Sequence, residues 1–152
     1  MNHMYNLAII GAGPAGIATA VESYMQGVRD IVLLEKDVNH NSTIRKYYKD
    51  NKRVDKDWKG QKVELDGRIY FVDGTKETTL DFFDEILEHH SVELQTHVEV
   101  QSIEKKDGFF EVFMAGKTIS AKNVVVTIGR MGKPNKPSYK VPSHEKEDRL
   151  HT

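Results

Sequence analysis

The chain has 152 residues, 30% of them charged, and its formal net charge at pH 7 is −1. This length suits one domain with a sizeable core, and the balance of charges excludes a global field that would attract nucleic acid or an anionic membrane. The chain has no cysteine, which excludes disulfides and thiol chemistry of its own. Without an apolar run near the roughly 20 residues of a membrane span, and without a signal-peptide layout, it is predicted to be cytoplasmic.

A strand, a glycine loop, a helix and a second strand follow one another in the first 35 residues. The apolar run 5–10 is typical of a buried parallel strand, and the G-x-G-x-x-G hexapeptide 11–16 follows at once. Apolar residues then recur at helical spacing up to Met25, and Gly27 supplies a helix stop. The second apolar run, 31–34, is followed by an acid about 20 residues after the last glycine. This order predicts a dinucleotide-binding βαβ unit.

Each residue of this motif has a physical task in binding a dinucleotide. Gly11 allows the tight turn, Gly13 lets the backbone approach a pyrophosphate, and Gly16 lets the helix pack closely on the strand. The helix N-terminus adds free N–H groups and a partial positive charge for the phosphates. Glu35 is expected to accept hydrogen bonds from an adenosine ribose. The alternative is a glycine-rich turn in an ordinary βαβ unit, which the complete context disfavours.

Residues 37–62 differ in character from the motif before them, because basic residues are mixed there with acids and aromatic residues. We interpret this segment as a solvated crossover with a short helix, in preference to a nucleic-acid surface at 45–62. A role in docking a partner or covering a cofactor stays open. The apolar runs 63–65 and 69–72 around Asp66-Gly67 predict a small hairpin.

The second half of the chain predicts one helix and then mostly strands. Thr78 and Asp81 have capping-box spacing at the start of a helix over 79–90, and 92–95 is a third strand of the parallel sheet. The short segments 98–105, 109–114 and 117–120 predict an antiparallel meander, and the apolar strand 124–128 should return to the central sheet. The fold class is therefore α/β, a doubly wound Rossmann-like parallel sheet with an antiparallel β-meander crossover.

The C-terminal stretch reads as a separate segment. Residues 133–152 contain Pro134, Pro137 and Pro142 and then a charged run, which is typical of a linker or truncated tail. Residues 1–132 are accordingly predicted to form one dinucleotide-binding domain. None of the seven histidines shows the two-His helical spacing of a metal site, so no metal ligand is predicted.

Taken together, the glycine loop, Glu35, the meander and residues 124–130 with Pro134-Asn135 after them resemble the N-terminal half of two-domain flavoprotein oxidoreductases. The resemblance covers residues 5 to about 137 and is to the thioredoxin reductase-like, or pyridine nucleotide-disulfide oxidoreductase, group. It implies an FAD-binding domain of an enzyme that passes a hydride from NAD(P)H through FAD to an acceptor. That acceptor would be a small molecule or a small redox protein, and a homodimer stays open.

The resemblance also implies which residues of this chain contact FAD. The glycine loop would hold the pyrophosphate, Glu35 the adenosine ribose, the Val100 backbone the adenine, and residues 127–129 the segment beside the cofactor. The implied cofactor-binding residues are Gly11, Gly13, Pro14, Ala15, Gly16, Glu35, Lys36, Val100, Thr127 and Gly129. No catalytic residue is assigned, since a flavin carries the difficult chemistry itself.

Four departures from the family pattern shape the expectation for this chain. It has no second G-x-G-x-x-G, no later Gly-Asp segment of the flavin site and no redox-active cysteine pair, and Ile128 replaces the usual threonine. We therefore expect a fragment that lacks the NAD(P)H domain. Two alternatives remain open: a stand-alone NAD-binding dehydrogenase domain, whose Glu35 would disfavour NADP, and a non-catalytic binding module that uses segment 45–62.

Overall fold

The computed structural model describes residues 3–130; the predicted tail 133–152 lies outside the described residues, and its boundary stays a prediction. The described part contains eight strands and three helices, in the order β1 Met4–Ile10, α1 Pro14–Met25, β2 Ile31–Leu34, α2 Ser42–Tyr47, β3 Arg53–Val54, β4 Gly74–Thr75, α3 Lys76–Glu88, β5 Val92–Gln95, β6 Val100–Lys105, β7 Phe110–Met114 and β8 Lys117–Val126.

Six of these strands form one sheet in the order β5-β2-β1-β8-β7-β6. The first four run parallel, with Leu7 opposite Ile31 and Ile31 opposite Val92, whereas β6 and β7 are antiparallel. β1 lies in the middle, between β2 on one side and β8 on the other. The predicted α/β fold, a mostly parallel sheet with an antiparallel meander, is confirmed.

The two faces of β1 and β2 bury two different cores. Leu7 and Ile9 pack with Ile17 of α1 and Phe83 of α3 on the helical face. The alternate residues pack against the meander on the opposite face, in a cluster of Ala8, Ile10, Val32, Leu34, Val112, Met114, Ile119 and Ala121. Because β2 is covered on both faces, its run of four apolar residues is buried throughout, as in other central parallel strands.

Helix α3 begins earlier than the sequence predicts. Its N-cap is Thr75, whose hydroxyl accepts from the Thr78 N–H while the Thr78 hydroxyl accepts from the Thr75 N–H at 2.9 Å. The predicted pair of Thr78 and Asp81 was therefore wrong by one turn. Two threonine hydroxyls form the reciprocal capping box that Ser or Thr usually forms with Glu.

The predicted hairpin over 63–72 is wrong, because no strand forms there. Side chains from elsewhere bind the backbone of this segment: the Glu22 carboxylate accepts from the Ile69 N–H at 2.6 Å, and Asp57 accepts from the Val63 N–H at 2.8 Å. The small antiparallel ladder of this region pairs β3 with β4 instead. These contacts, made by residues distant in the sequence, override the tendency of Asp66-Gly67 to form a hairpin turn.

The last two predicted strands, 117–120 and 124–128, are one continuous strand, β8. Its first part pairs antiparallel with β7, up to Ala121, and its remainder pairs parallel with β1, from Ser120 to Val126. One strand thus joins the meander to the central sheet. The separation expected between them was wrong, since residues 121–123 stay in the ladder.

Candidate functional site

A cavity of about 750 Å³ lies at the carboxyl edge of the parallel strands. The carboxyl ends of β1, β2 and β8 meet there. From β1 the chain passes through α1 to β2 on one side of β1, and β8 lies on the other side of β1. Such a switch point, where connections diverge to the two sides of a parallel sheet, is where open α/β proteins bind ligands.

The three motif glycines meet different surroundings. Gly11 has a φ of +103°, and a Cβ there would lie 2.5 Å from the Thr127 carbonyl oxygen. A Cβ on Gly16 would lie 1.9 Å from the Gly11 carbonyl oxygen, so only glycine allows this close packing. A Cβ on Gly13 would meet no atom within 4 Å, and Gly13 lines the cavity. The first and third glycines are sterically required, and the second leaves room for a ligand.

The N-terminus of α1 opens onto the same cavity. Gly13 is its N-cap and contributes no side chain, Pro14 occupies the first turn, and that turn has no acidic residue. Since the first N–H groups of a helix have no intrahelical partner and carry a partial positive charge, this end can receive an anion. The arrangement suits a phosphate group.

Glu35 lies at the end of β2 and is only 6% exposed. One carboxylate oxygen accepts from the Ala12 N–H and the other from the Asp37 N–H, both at 2.9 Å. These bonds tie the glycine loop to the chain after β2. A carboxylate has about four acceptor positions, so two are left for the hydroxyls of a ribose.

The other predicted residues surround the same cavity. The Thr127 hydroxyl lies 2.8 Å from the Gly11 carbonyl oxygen, and the Val98 N–H donates to the Glu35 carbonyl at 3.0 Å. Nine of the ten predicted cofactor-binding residues line the cavity, and Gly16 lies behind them in α1. Their contact with a cofactor stays a prediction, whereas their convergence on one cavity is observed.

Sequence reasoning missed one wall of the cavity. It comes from the start of the segment read as a solvated crossover, and it includes Asp37, Asn41, Ser42, Thr43, Ile44 and Tyr48. The Lys46 ammonium donates to Asp37 at 3.0 Å, and this bond, with a smaller contribution from Ser42, holds the pKa of Asp37 below its ordinary value. Ile44 is buried, but its surrounding sequence carries no periodic signal of this contact. Residues of 41–48 thus contribute to the cavity wall, and the open alternative of a cofactor cover stays a prediction.

No group of three or more His, Asp or Glu side chains among residues 3–130 is arranged to hold a metal ion. No helix of the same residues has the length and apolar character needed to cross a bilayer.

The family model described as pyridine nucleotide-disulphide oxidoreductase matches residues 8–151. This chain belongs to that family. Its members are oxidoreductases that bind FAD and NAD(P)H. The resemblance inferred from the glycine loop, Glu35 and the meander is thereby confirmed.

Three known proteins show how much of a family member this chain represents. It is 27% identical over 134 residues to a ferredoxin–NADP reductase of Leuconostoc mesenteroides, covering 86% of this chain and 35% of that protein. Its fold resembles the bacillithiol disulfide reductase Bdr (YpdA) of Bacillus cereus, with a TM-score of 0.70 and 23% identity. That match covers 94% of this chain and 44% of Bdr. Its fold also resembles the T. acidophilum thioredoxin reductase, with a TM-score of 0.64 and 24% identity. That match covers 86% of this chain and 37% of the reductase. The chain thus spans less than half the length of each.

Proposed function

We propose that this chain is the FAD-binding part of an NAD(P)H-linked flavoprotein oxidoreductase, with the FAD pyrophosphate on the glycine loop. One observation carries the proposal: Gly11 and Gly16 are walled in by backbone atoms, while Gly13 faces open space at the uncapped N-terminus of α1. A pyrophosphate needs both the room above Gly13 and the N–H groups beside it.

The remaining residues would then hold the adenosine half. The Glu35 carboxylate lies at the end of β2, fixed by two backbone N–H groups, and would accept hydrogen bonds from the ribose hydroxyls. The backbone from Val98 to Val100 lies in the cavity wall and would meet the adenine. FAD, when bound, would supply the hydride chemistry, so this chain's own tasks are binding and orientation.

The electron acceptor is proposed by class alone. The relatives' names point to ferredoxin and to a low-molecular-weight disulfide, so a small redox protein or a disulfide is the acceptor class we favour. Since the chain has no cysteine, it would contribute no thiol to the reduction of a disulfide. Because a second glycine motif is absent from its sequence, we also expect little NAD(P)H oxidation by the 152-residue chain alone.

The test is Gly13→Val in the 152-residue chain, followed by FAD titration. Gly13 has an extended backbone with a φ of −82°, and a Cβ there meets no protein atom within 4 Å, so the variant should fold with wild-type thermal stability. Its branched side chain would occupy the pyrophosphate position and reduce FAD affinity by at least about a hundredfold, the equivalent of about 2.7 kcal/mol.

Thr118→Val is the matched control, because Thr118 is an exposed residue of β8 that does not line the cavity. It should change neither FAD affinity nor stability. Wild-type FAD affinity in a folded Gly13→Val variant would overturn the proposed placement of the pyrophosphate.

A further inference from the structure

A buried asparagine forms part of the missed cavity wall. Asn41 is 1% exposed and has a left-handed backbone, with a φ of 54°. Its N–H donates to the Ala12 carbonyl inside the glycine loop at 2.8 Å. Residue 41 is therefore held directly against the loop, next to the proposed pyrophosphate position.

The Asn41 amide is held by a buried histidine. The His40 ring is almost fully buried; its Nδ1 lies 2.8 Å from Asn41 Nδ2, and its Nε2 contacts the Asp84 carboxylate of α3. An ionised carboxylate only accepts hydrogen bonds, so Nε2 carries a proton and, in the neutral ring, Nδ1 accepts from the amide. The His40–Asp84 pair therefore orients the amide so that Nδ2 faces the ring.

The other end of that amide has no hydrogen-bond partner among residues 3–130. Asn41 Oδ1 is buried and accepts no hydrogen bond from the described residues. A buried acceptor without a donor is destabilising, and such groups in native proteins call for a ligand or a solvent partner. Asn41 lines the cavity, and a group bound there supplies the donor once the atoms that cover Oδ1 in this structure move aside.

We propose that Asn41 is a specificity-determining residue of this cavity, and that its Oδ1 accepts a hydrogen bond from a sugar hydroxyl of the bound dinucleotide. His40 and Asp84 are positioning residues that hold the amide. The inference rests on the proposed function, since it takes the pyrophosphate to lie on the glycine loop. An ionised pyrophosphate has no donor to offer, and the donors nearest to it in a dinucleotide are the hydroxyls of its flanking sugars.

The first test is Asn41→Gly, because glycine keeps the left-handed backbone and removes the amide. The expected result is a loss of FAD affinity of about tenfold, which corresponds to one neutral hydrogen bond. Asn51→Gly is the matched control: Asn51 is also left-handed, with a φ of 59°, but it is exposed and does not line the cavity. Its FAD affinity should equal that of the wild type.

Titration with ADP alongside FAD identifies the sugar. An equal loss for both ligands in Asn41→Gly assigns the hydroxyl to the adenosine ribose, and a loss for FAD alone assigns it to the sugar chain on the flavin side. Unchanged affinity for both ligands in a folded variant overturns the proposal. A wild-type chain that binds neither ligand refutes the proposed function instead, so the two failures are distinguishable.

The positioning role is tested by FAD affinity in His40→Phe and His40→Asn. The phenyl ring fills similar space but offers no acceptor to Asn41 Nδ2, whereas an asparagine amide oxygen can accept there in place of Nδ1. His40→Phe should lose about as much FAD affinity as Asn41→Gly, and His40→Asn should recover most of it. Wild-type FAD affinity in a folded His40→Phe variant would overturn the positioning role.

Discussion

The glycine-loop region, residues 4–35, and the outer segment, residues 49–73, show two ways of organising a chain. In the glycine-loop region the packing is close: backbone atoms leave no room for a Cβ at Gly16, and the buried Glu35 carboxylate accepts a hydrogen bond from the loop. In the second, long side chains bind the backbone at the surface, and large apolar groups stay exposed, such as Trp58 at 63% and Tyr70 at 80%. We infer from this difference that crowding, rather than the number of hydrogen bonds, makes a region intolerant of substitution.

Glycine substitutions in the two regions should show the largest contrast. Gly16→Ala places a Cβ 1.9 Å from the Gly11 carbonyl oxygen, where only backbone could give way, so we expect a loss of about 3 kcal/mol and a melting temperature lower by about 10 °C. Gly67→Ala in the outer segment meets the flexible end of Glu22 at 2.3 Å and should cost less than about 1 kcal/mol. Thermal unfolding of both variants measures the contrast, and equal losses would contradict it.

Glu35→Ala should lower both stability and ligand affinity. Loss of the predicted ribose contact should weaken adenosine binding, and the carboxylate also accepts hydrogen bonds from the N–H groups of Ala12 and Asp37. Leaving these groups without an acceptor should cost about 1–3 kcal/mol. Glu35→Gln keeps one acceptor oxygen and should be less destabilising. Thermal unfolding with and without ADP separates the two effects, and wild-type stability of Glu35→Ala would show that the two bonds contribute little.

Acidification should weaken the link between the outer segment and α3. The Glu77 carboxylate accepts from the Asn51 N–H at 3.1 Å, and this backbone hydrogen bond holds the pKa of Glu77 below its ordinary value. The group therefore stabilises the fold fully above the pKa of the unfolded chain, and this contribution is lost as the pH falls through the lower value of the folded chain. Glu77→Gln should show a smaller decrease in melting temperature between about pH 5 and pH 3 than the wild type. Identical decreases would exclude this contribution.

Tyr70→Ser should have the smallest effect. The tyrosine is mostly exposed, so its replacement should change the free energy of unfolding by no more than about 0.5 kcal/mol. Chemical denaturation provides the measurement. A loss above about 1 kcal/mol would mean that the outer segment is packed more firmly than its exposure indicates.

The same contrast explains what the sequence could predict. The strand, loop, helix and acid of residues 4–35 follow from local apolar periodicity and glycine spacing, and residues 127–129 come to them because β8 pairs with β1. The wall at 41–48 was missed because the contact that anchors it joins the buried His40 to Asp84, 44 residues away in the sequence. The false hairpin has the same cause, since Glu22 binds Ile69 from 47 residues away. Such contacts leave no local periodic signal.

The most direct test is the thermal stability and visible spectrum of the purified 152-residue chain with FAD and, separately, with NAD. A ligand that binds only the folded state at a hundred times its dissociation constant stabilises it by about 2.7 kcal/mol, which raises the melting temperature by several degrees. We expect that FAD produces this shift, or that the purified protein is already yellow, and that NAD produces no shift. A shift with NAD alone would favour the dehydrogenase alternative, and a folded chain that responds to neither would contradict dinucleotide binding altogether.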